Sequence, residues 1–164
     1  MYEEYTRQAL PDKQYRELLG SALCVFNSNN SFIIETVLRN RNIYSWYSLI
    51  DFESGKLKNV VRDAISKKYG DEIEKLFSDI IEQRNRIVHS FQITNKQGKQ
   101  ALATKVYKKC EQFEITEDYL LNFIKLNEKL SMISEDIRLF YYSPYEIIRG
   151  SPPCPSPNPT TKTP

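Results

Sequence analysis

One histidine occurs in the 164-residue chain, His89, and it closes the run Arg84-Asn85-Arg86-Ile87-Val88-His89. Imidazole is the side chain best suited to moving protons near neutral pH. On a helix Asn85 and His89 stand four residues apart and share a face. Arg84 lies roughly 140° around from His89, within the swing of its long side chain. A guanidinium, an amide and an imidazole at this spacing can hold one phosphodiester. The arginine supports the phosphate oxygens bidentately, the amide orients a hydroxyl or the imidazole, and the imidazole moves the proton. A blander reading of the same residues stands beside it. A lone histidine on a polar face is usually a surface residue, and Arg84 then covers a core edge or pairs with Glu82 or Asp79.

Charge distribution favours a polyanion. The net charge is only +2, but no acidic residue occurs between Glu82 and Glu111, where the chain carries Arg84, Arg86, Lys96, Lys99, Lys105, Lys108 and Lys109. Such a run is either a solvated face or a site for a phosphate backbone. That it begins on the helix carrying the only histidine points to a polyanion site.

Other chemistries find less support. One histidine and no Cys-x-x-Cys pair leave little for zinc, and no close acidic cluster recommends magnesium, so neither metal nor cofactor is expected. Cys24, Cys110 and Cys154 are odd in number and far apart, which suggests a reducing compartment. The start of the chain is acidic and lacks the apolar run of a signal peptide, and no stretch approaches the roughly 20 apolar residues of a membrane span. A cytoplasmic protein without a membrane partner is the expectation.

The elements that must position the site read mainly as helices. Pro11 and Asp12 open a long apolar-periodic segment to about Asn40, with Tyr15, Leu18, Leu19, Ala22, Leu23 and Phe26 as its stripe. The polar block Asn27–Ser31 interrupts it, and Asn30 falls where an apolar residue belongs, so a kink or a break is open there. The aromatic piece from Ile43 to Phe52 reads as core beneath a connection, with base stacking as the lesser alternative. Lys56 to Tyr69 reads as a helix stopped by Gly70, and Asp71 as the cap of the motif helix. On that helix Ile73, Phe77, Ile80, Arg84, Ile87 and Phe91 form a line that is apolar except for Arg84. Beyond it, Asn95-Lys96-Gln97-Gly98 is a turn signal between Phe91–Thr94 and Ala101–Tyr107, which can pair as a short hairpin. Thr116 caps a last helix whose seam is Tyr119, Phe123, Leu126, Leu130, Ile133, Ile137 and Phe140.

The expected fold class is therefore all-α, a bundle of four to five helices with room for a short β-hairpin after the motif helix. It would occupy residues 1–142, with a disordered Pro-rich tail over 143–164.

The run Arg84-Asn85-Arg86-Ile87-Val88-His89 resembles the signature of the HEPN superfamily, in which an arginine, often followed by asparagine, precedes a histidine by four to six residues. The literal match covers six residues; the setting, a late helix in a helical bundle followed by a closing helix, is similar too. The resemblance implies a metal-independent endoribonuclease, often a toxin or an antiviral-defence effector, with Arg84, Asn85 and His89 as the active-site set. It implies attack of an RNA 2′-hydroxyl on the adjacent phosphate, leaving 2′,3′-cyclic phosphate and 5′-hydroxyl ends in a cleft shared by a dimer. Transphosphorylation benefits from one base and one acid. With one imidazole per chain, a two-fold homodimer would bring two to one phosphate, and Arg86 and the lysines of the basic run would hold the flanking strand. The resemblance equally allows an inactive RNA-binding or dimerisation module. One subgroup, paired with nucleotidyltransferase antitoxins, carries a modifiable tyrosine two residues after the histidine; here that residue is Phe91. Phe91 has no hydroxyl to modify, which argues against that control; with no nucleotidyltransferase or helicase segment in the sequence, any antitoxin or regulator is expected to act in trans. A third expectation is a plain structural bundle whose Pro-rich tail recruits a partner.

Overall fold

The computed structural model describes residues 3–41, 43–106 and 109–141. The Pro-rich tail and Lys108 lie outside the described residues.

Helix α1 spans Lys13–Asn40 as one element. Asp12 holds an extended backbone, and its carboxylate accepts from the Tyr15 N–H at 2.9 Å, satisfying a donor the first turn leaves free. The polar block does not break the helix, and two of its side chains find partners within the helix or across it. Ser31 donates back to the Asn27 carbonyl, and Asn29 donates to the Asn127 carbonyl at 2.7 Å and to its side-chain oxygen at 3.1 Å. Asn29 is thus a buried polar residue of the α1 face, while the neighbouring Asn30 Oδ1 is buried without a partner.

Helix α2, Trp46–Ile50, is closed at its start by a reciprocal Ser45–Ser48 capping box. The aromatic piece around it is chiefly covering for the core: Tyr44, Trp46 and Phe52 pack partly buried against it, while Tyr47 is half exposed. Helix α3, Ser54–Val61, runs through a π-helical turn at Arg62–Ser66 into the short α4, Lys67–Tyr69. Gly70 ends this run with φ +91°, a conformation that costs glycine least.

Helix α5, Glu72–Val88, buries Ile73, Leu76, Phe77, Ile80, Ile81 and Ile87. Asp71 stands at its N-cap position but makes no capping bond. Its backbone, at φ −91° and ψ 1°, lacks the extended geometry a cap requires, and its carboxylate pairs instead with Lys75 at 2.6 Å.

The region after α5 is not purely helical. Strands β1 (Phe91–Thr94), β2 (Gln100–Lys105) and β3 (Gln112–Ile115) form an antiparallel sheet with β2 in the centre. The expected hairpin is present, in the register Phe91 to Ala103 and Thr94 to Gln100. Its turn is built by Asn95, whose side-chain oxygen accepts from the Gln97 and Lys99 N–H groups, and by Gly98 at φ +75°. The all-α expectation is corrected by β3, which pairs Ile115 with Leu102 and Gln112 with Lys105 on the other edge of β2.

Helix α6, Glu117–Tyr141, begins where the Thr116 hydroxyl accepts from the Tyr119 N–H at 3.1 Å. Its most deeply buried line is Leu120, Phe123, Asn127, Leu130 and Ser134. The apolar seam read from the sequence shares Phe123 and Leu130 with that line; Tyr119, Leu126, Ile133 and Ile137 flank it, partly buried. The difference comes from two polar residues that are satisfied inside the core. Asn127 donates to the Phe123 carbonyl as well as meeting Asn29, and Ser134 donates to the Leu130 carbonyl.

Cross-contacts fix the helix directions. Tyr15 reaches the Ile115 carbonyl at 2.7 Å and Asn29 meets Asn127, so α1 and α6 run parallel. Lys129 pairs with Glu72 while Arg86 stacks on Phe113 just before α6, so α5 runs antiparallel to α6. The C-terminal end of α5 is consequently held between α1 on one side and the β3–α6 junction on the other.

Candidate active site

The last turns of α5 carry the candidate site. Arg84 occupies the apolar line of the helix, so its stem is half-buried and its guanidinium is drawn over α1. There its carbon sits 5.4 Å from the centre of the Phe26 ring, and one terminal nitrogen donates to the Asn85 side-chain oxygen at 3.1 Å. Arg84 and Asn85, adjacent in sequence, are therefore joined through their side chains. Glu82, one of the acidic partners open to Arg84 from sequence, pairs with Arg86 instead.

His89 terminates the helix. Its backbone, at φ −96° and ψ 20°, leaves helical geometry, and its N–H still reaches the Asn85 carbonyl at 3.0 Å. Ser90 completes the stop by donating from its hydroxyl to the Ile87 carbonyl, and the chain then enters β1 at Phe91. The imidazole is exposed, as is Asn85, and among the described residues it makes no side-chain hydrogen bond. Around it Val88 and Phe91 are exposed apolar side chains, 45% and 42% accessible, so the site opens on a surface that is polar at its centre and apolar at its margin.

The remaining cations separate in space. Arg86 pairs with Glu82 at 2.6 Å and lies 5.6 Å over the Phe113 ring, which itself packs on Tyr119. Burial is the main cause that pushes the Tyr119 hydroxyl above its ordinary pKa, with the Arg86 charge opposing it. Lys96 and Lys99 sit at the hairpin turn, one strand length (about 13 Å) away from the start of β1. Lys105 ends β2 at the other end of the sheet, two residues past the Phe91–Ala103 pair and therefore on the His89 side. Lys109 follows it and pairs loosely with Glu111 at 3.9 Å. The sequence run of cations is thus divided between the motif end of the sheet and the hairpin tip.

Two cavities lie between the hairpin tip and the start of α1. One of about 220 Å³ is lined by Asp12, Tyr15, Asn95, Lys99, Glu114 and Glu117, among others. A second of about 330 Å³ adjoins it through Asp12, Lys99 and Gln100 and reaches Glu3 and Arg16. Among the described residues, no group of three or more His, Cys, Asp or Glu side chains could hold a metal ion. No helix among them is long and apolar enough to cross a membrane.

The chain matches no family model, no curated protein and no solved structure.

Two participants escaped the sequence reading. Phe26 looked like any other member of the α1 stripe, and only the packing of α1 on α5 shows what lies over its ring. Lys58, on α3, donates to the Ser78 hydroxyl at 2.7 Å and so brings a cation to α5 about 10 Å along the axis before Asn85. Nothing local in the sequence around either residue marks it.

Proposed function

We propose that the protein is a metal-independent endoribonuclease of HEPN type that works as a cytoplasmic homodimer. The observation that carries this reading is the Arg84–Asn85 hydrogen bond at the end of α5, one turn before an exposed His89. Asparagine is neutral, so it orients the guanidinium without cancelling its charge, and a phosphate can occupy the remaining donors bidentately.

In the proposed reaction an imidazole takes the proton of an RNA 2′-hydroxyl, and the 2′-oxygen attacks the adjacent phosphorus. The P–O5′ bond breaks as the second copy's imidazole delivers a proton to the departing 5′-oxygen. The products are a 2′,3′-cyclic phosphate and a 5′-hydroxyl. Arg84 stabilises the charge that develops on the phosphorane oxygens, Asn85 positions, and His89 is the acid or base. Lys96, Lys99, Lys105, Lys108 and Lys109 are the candidates for holding the flanking strand, whereas Arg86, expected from sequence to join them, is engaged by Glu82. Exposed Val88 and Phe91 beside His89 are suited to burial between two copies. A toxin or defence role, with an antitoxin or regulator acting in trans, fits such an enzyme.

A second reading is favoured by one observation. Among the described residues His89 makes no side-chain hydrogen bond, so no neighbour among them orients its imidazole, as an RNA-binding or dimerisation module without the reaction would permit. One experiment separates the two. Purified protein is incubated with RNA in excess chelator, and the RNA ends are analysed. The nuclease reading requires cyclic-phosphate ends, with cleavage reduced at least about a hundredfold by Arg84→Ala and by His89→Ala. Salt-sensitive RNA binding with no change in RNA length would establish the module instead, and chelator-sensitive cleavage would sink the mechanism.

A further inference from the structure

Arg84 is held from two directions by groups that carry no charge. The Phe26 ring lies under its guanidinium at 5.4 Å, and the Asn85 amide oxygen accepts from one terminal nitrogen at 3.1 Å. Phe26 is only 4% exposed and belongs to the main hydrophobic cluster, so core packing fixes the ring itself. A guanidinium over such a ring is attracted by the negative face of the π-system. The ring supports the cation from below, and the amide limits its rotation. The remaining N–H edge stays available to an anion.

We propose that Phe26 is a positioning residue for Arg84, seating the guanidinium so that it meets a phosphate without first losing conformational freedom. The proposal rests on the endoribonuclease reading above. It assigns a functional task to a residue of α1, remote in sequence from the motif, and makes the α1–α5 contact part of the site. Ordering the arginine before the reaction matters because stabilisation of developing charge is largest when the donor need not reorganise.

The test keeps the shape of the ring and changes its charge. Phenylalanines carrying one, two and five ring fluorines are introduced at position 26 of the full-length chain, in order of decreasing negative charge on the face. Cleavage of a short RNA should lose kcat stepwise, to about tenfold at the most fluorinated ring, with KM within about twofold and the unfolding midpoint nearly constant. Phe26→Leu, which removes the ring, should lose at least as much, and the ring-shifted Hδ resonances of Arg84 should return to ordinary positions. An active parent whose kcat ignores fluorination overturns the positioning role and leaves the nuclease reading intact. A parent that cleaves no RNA overturns the nuclease reading and any part for Phe26 in turnover, and the Arg84 resonances then decide only whether the stack exists.

Discussion

Arg84 and Arg86 are two residues apart and leave α5 about 200° from each other, toward different neighbours. Each lies over a phenylalanine at nearly the same distance, 5.4 Å from Phe26 for Arg84 and 5.6 Å from Phe113 for Arg86. What differs is the second partner. Arg86 meets the Glu82 carboxylate at 2.6 Å, whereas Arg84 meets the neutral Asn85 amide at 3.1 Å. The same side chain on the same helix thus becomes a tie between α5 and β3 on one side and, among the described residues, a charge without a carboxylate partner on the other. A carboxylate partner uses the guanidinium for structure; an amide partner leaves it charged toward incoming anions.

The largest effect should come from erasing that difference. Asn85→Asp places a carboxylate on Arg84 and makes its surroundings like those of Arg86. Under the nuclease reading, kcat/KM should fall about a hundredfold, against about tenfold for Asn85→Ala, which removes the orientation but not the charge. RNA affinity measured across a salt series should lose close to one phosphate's worth of slope in Asn85→Asp alone. Equal losses in the two variants would show that the charge of Arg84 is not what matters.

The sequence announced the parts of this comparison but not their difference. The motif helix, the long α1, the Thr116 cap and the Phe91–Thr94 hairpin were legible because each rests on local signals: periodicity, an oxygen-bearing cap, an Asn-x-x-Gly turn. Arg84 also stood out as the one break in an apolar line. The partners that distinguish the arginines come from elsewhere in the chain. Phe26 lies on α1, and Phe113 lies on β3, a four-residue strand held by the free edge of β2 and by the buried Ile115. Likewise Asn127 and Ser134 interrupt the apolar seam of α6 yet occupy its most buried line, because their hydrogen bonds close within the core. Asp71 misled in the opposite way: a residue type favoured at caps had backbone angles that forbid the cap.

A smaller effect, on stability rather than turnover, is expected from the other arginine. Arg86→Ala removes the tie to Glu82 and uncovers part of the Phe113 ring, and should cost about 1–2 kcal/mol in urea unfolding. Glu82→Gln should cost no more than about 0.5 kcal/mol, since the Glu82 side chain is 67% exposed and water screens the pair. Cleavage by Arg86→Ala should stay within about threefold of the parent at a temperature where both are folded. If Arg86→Ala instead lost activity as Arg84→Ala does while remaining stable, the division of labour between the two arginines would collapse.

The smallest effect separates lysines paired with carboxylates from Arg84, through acid titration. Asp71 is held below the usual aspartate range by its hydrogen bond to Lys75 and then by that charge; Asp63 is lowered in the same way by Lys67. Both folded-state values lie below the unfolded one, so each pair stabilises fully above about pH 4 and loses its contribution as pH falls through the lowered carboxylate value. Both pairs are exposed, so the loss should be slight and should shrink further in salt. The Arg84–Asn85 contact contains no group that titrates in this range. Carboxyl carbon shifts followed by NMR should show Asp71 titrating late, returning to ordinary behaviour in Lys75→Met, while the Arg84 side-chain resonances stay fixed across the same acid range. Movement of the Arg84 signals in step with a carboxylate would mean that an acidic group reaches this arginine after all, and that its charge is shared rather than free.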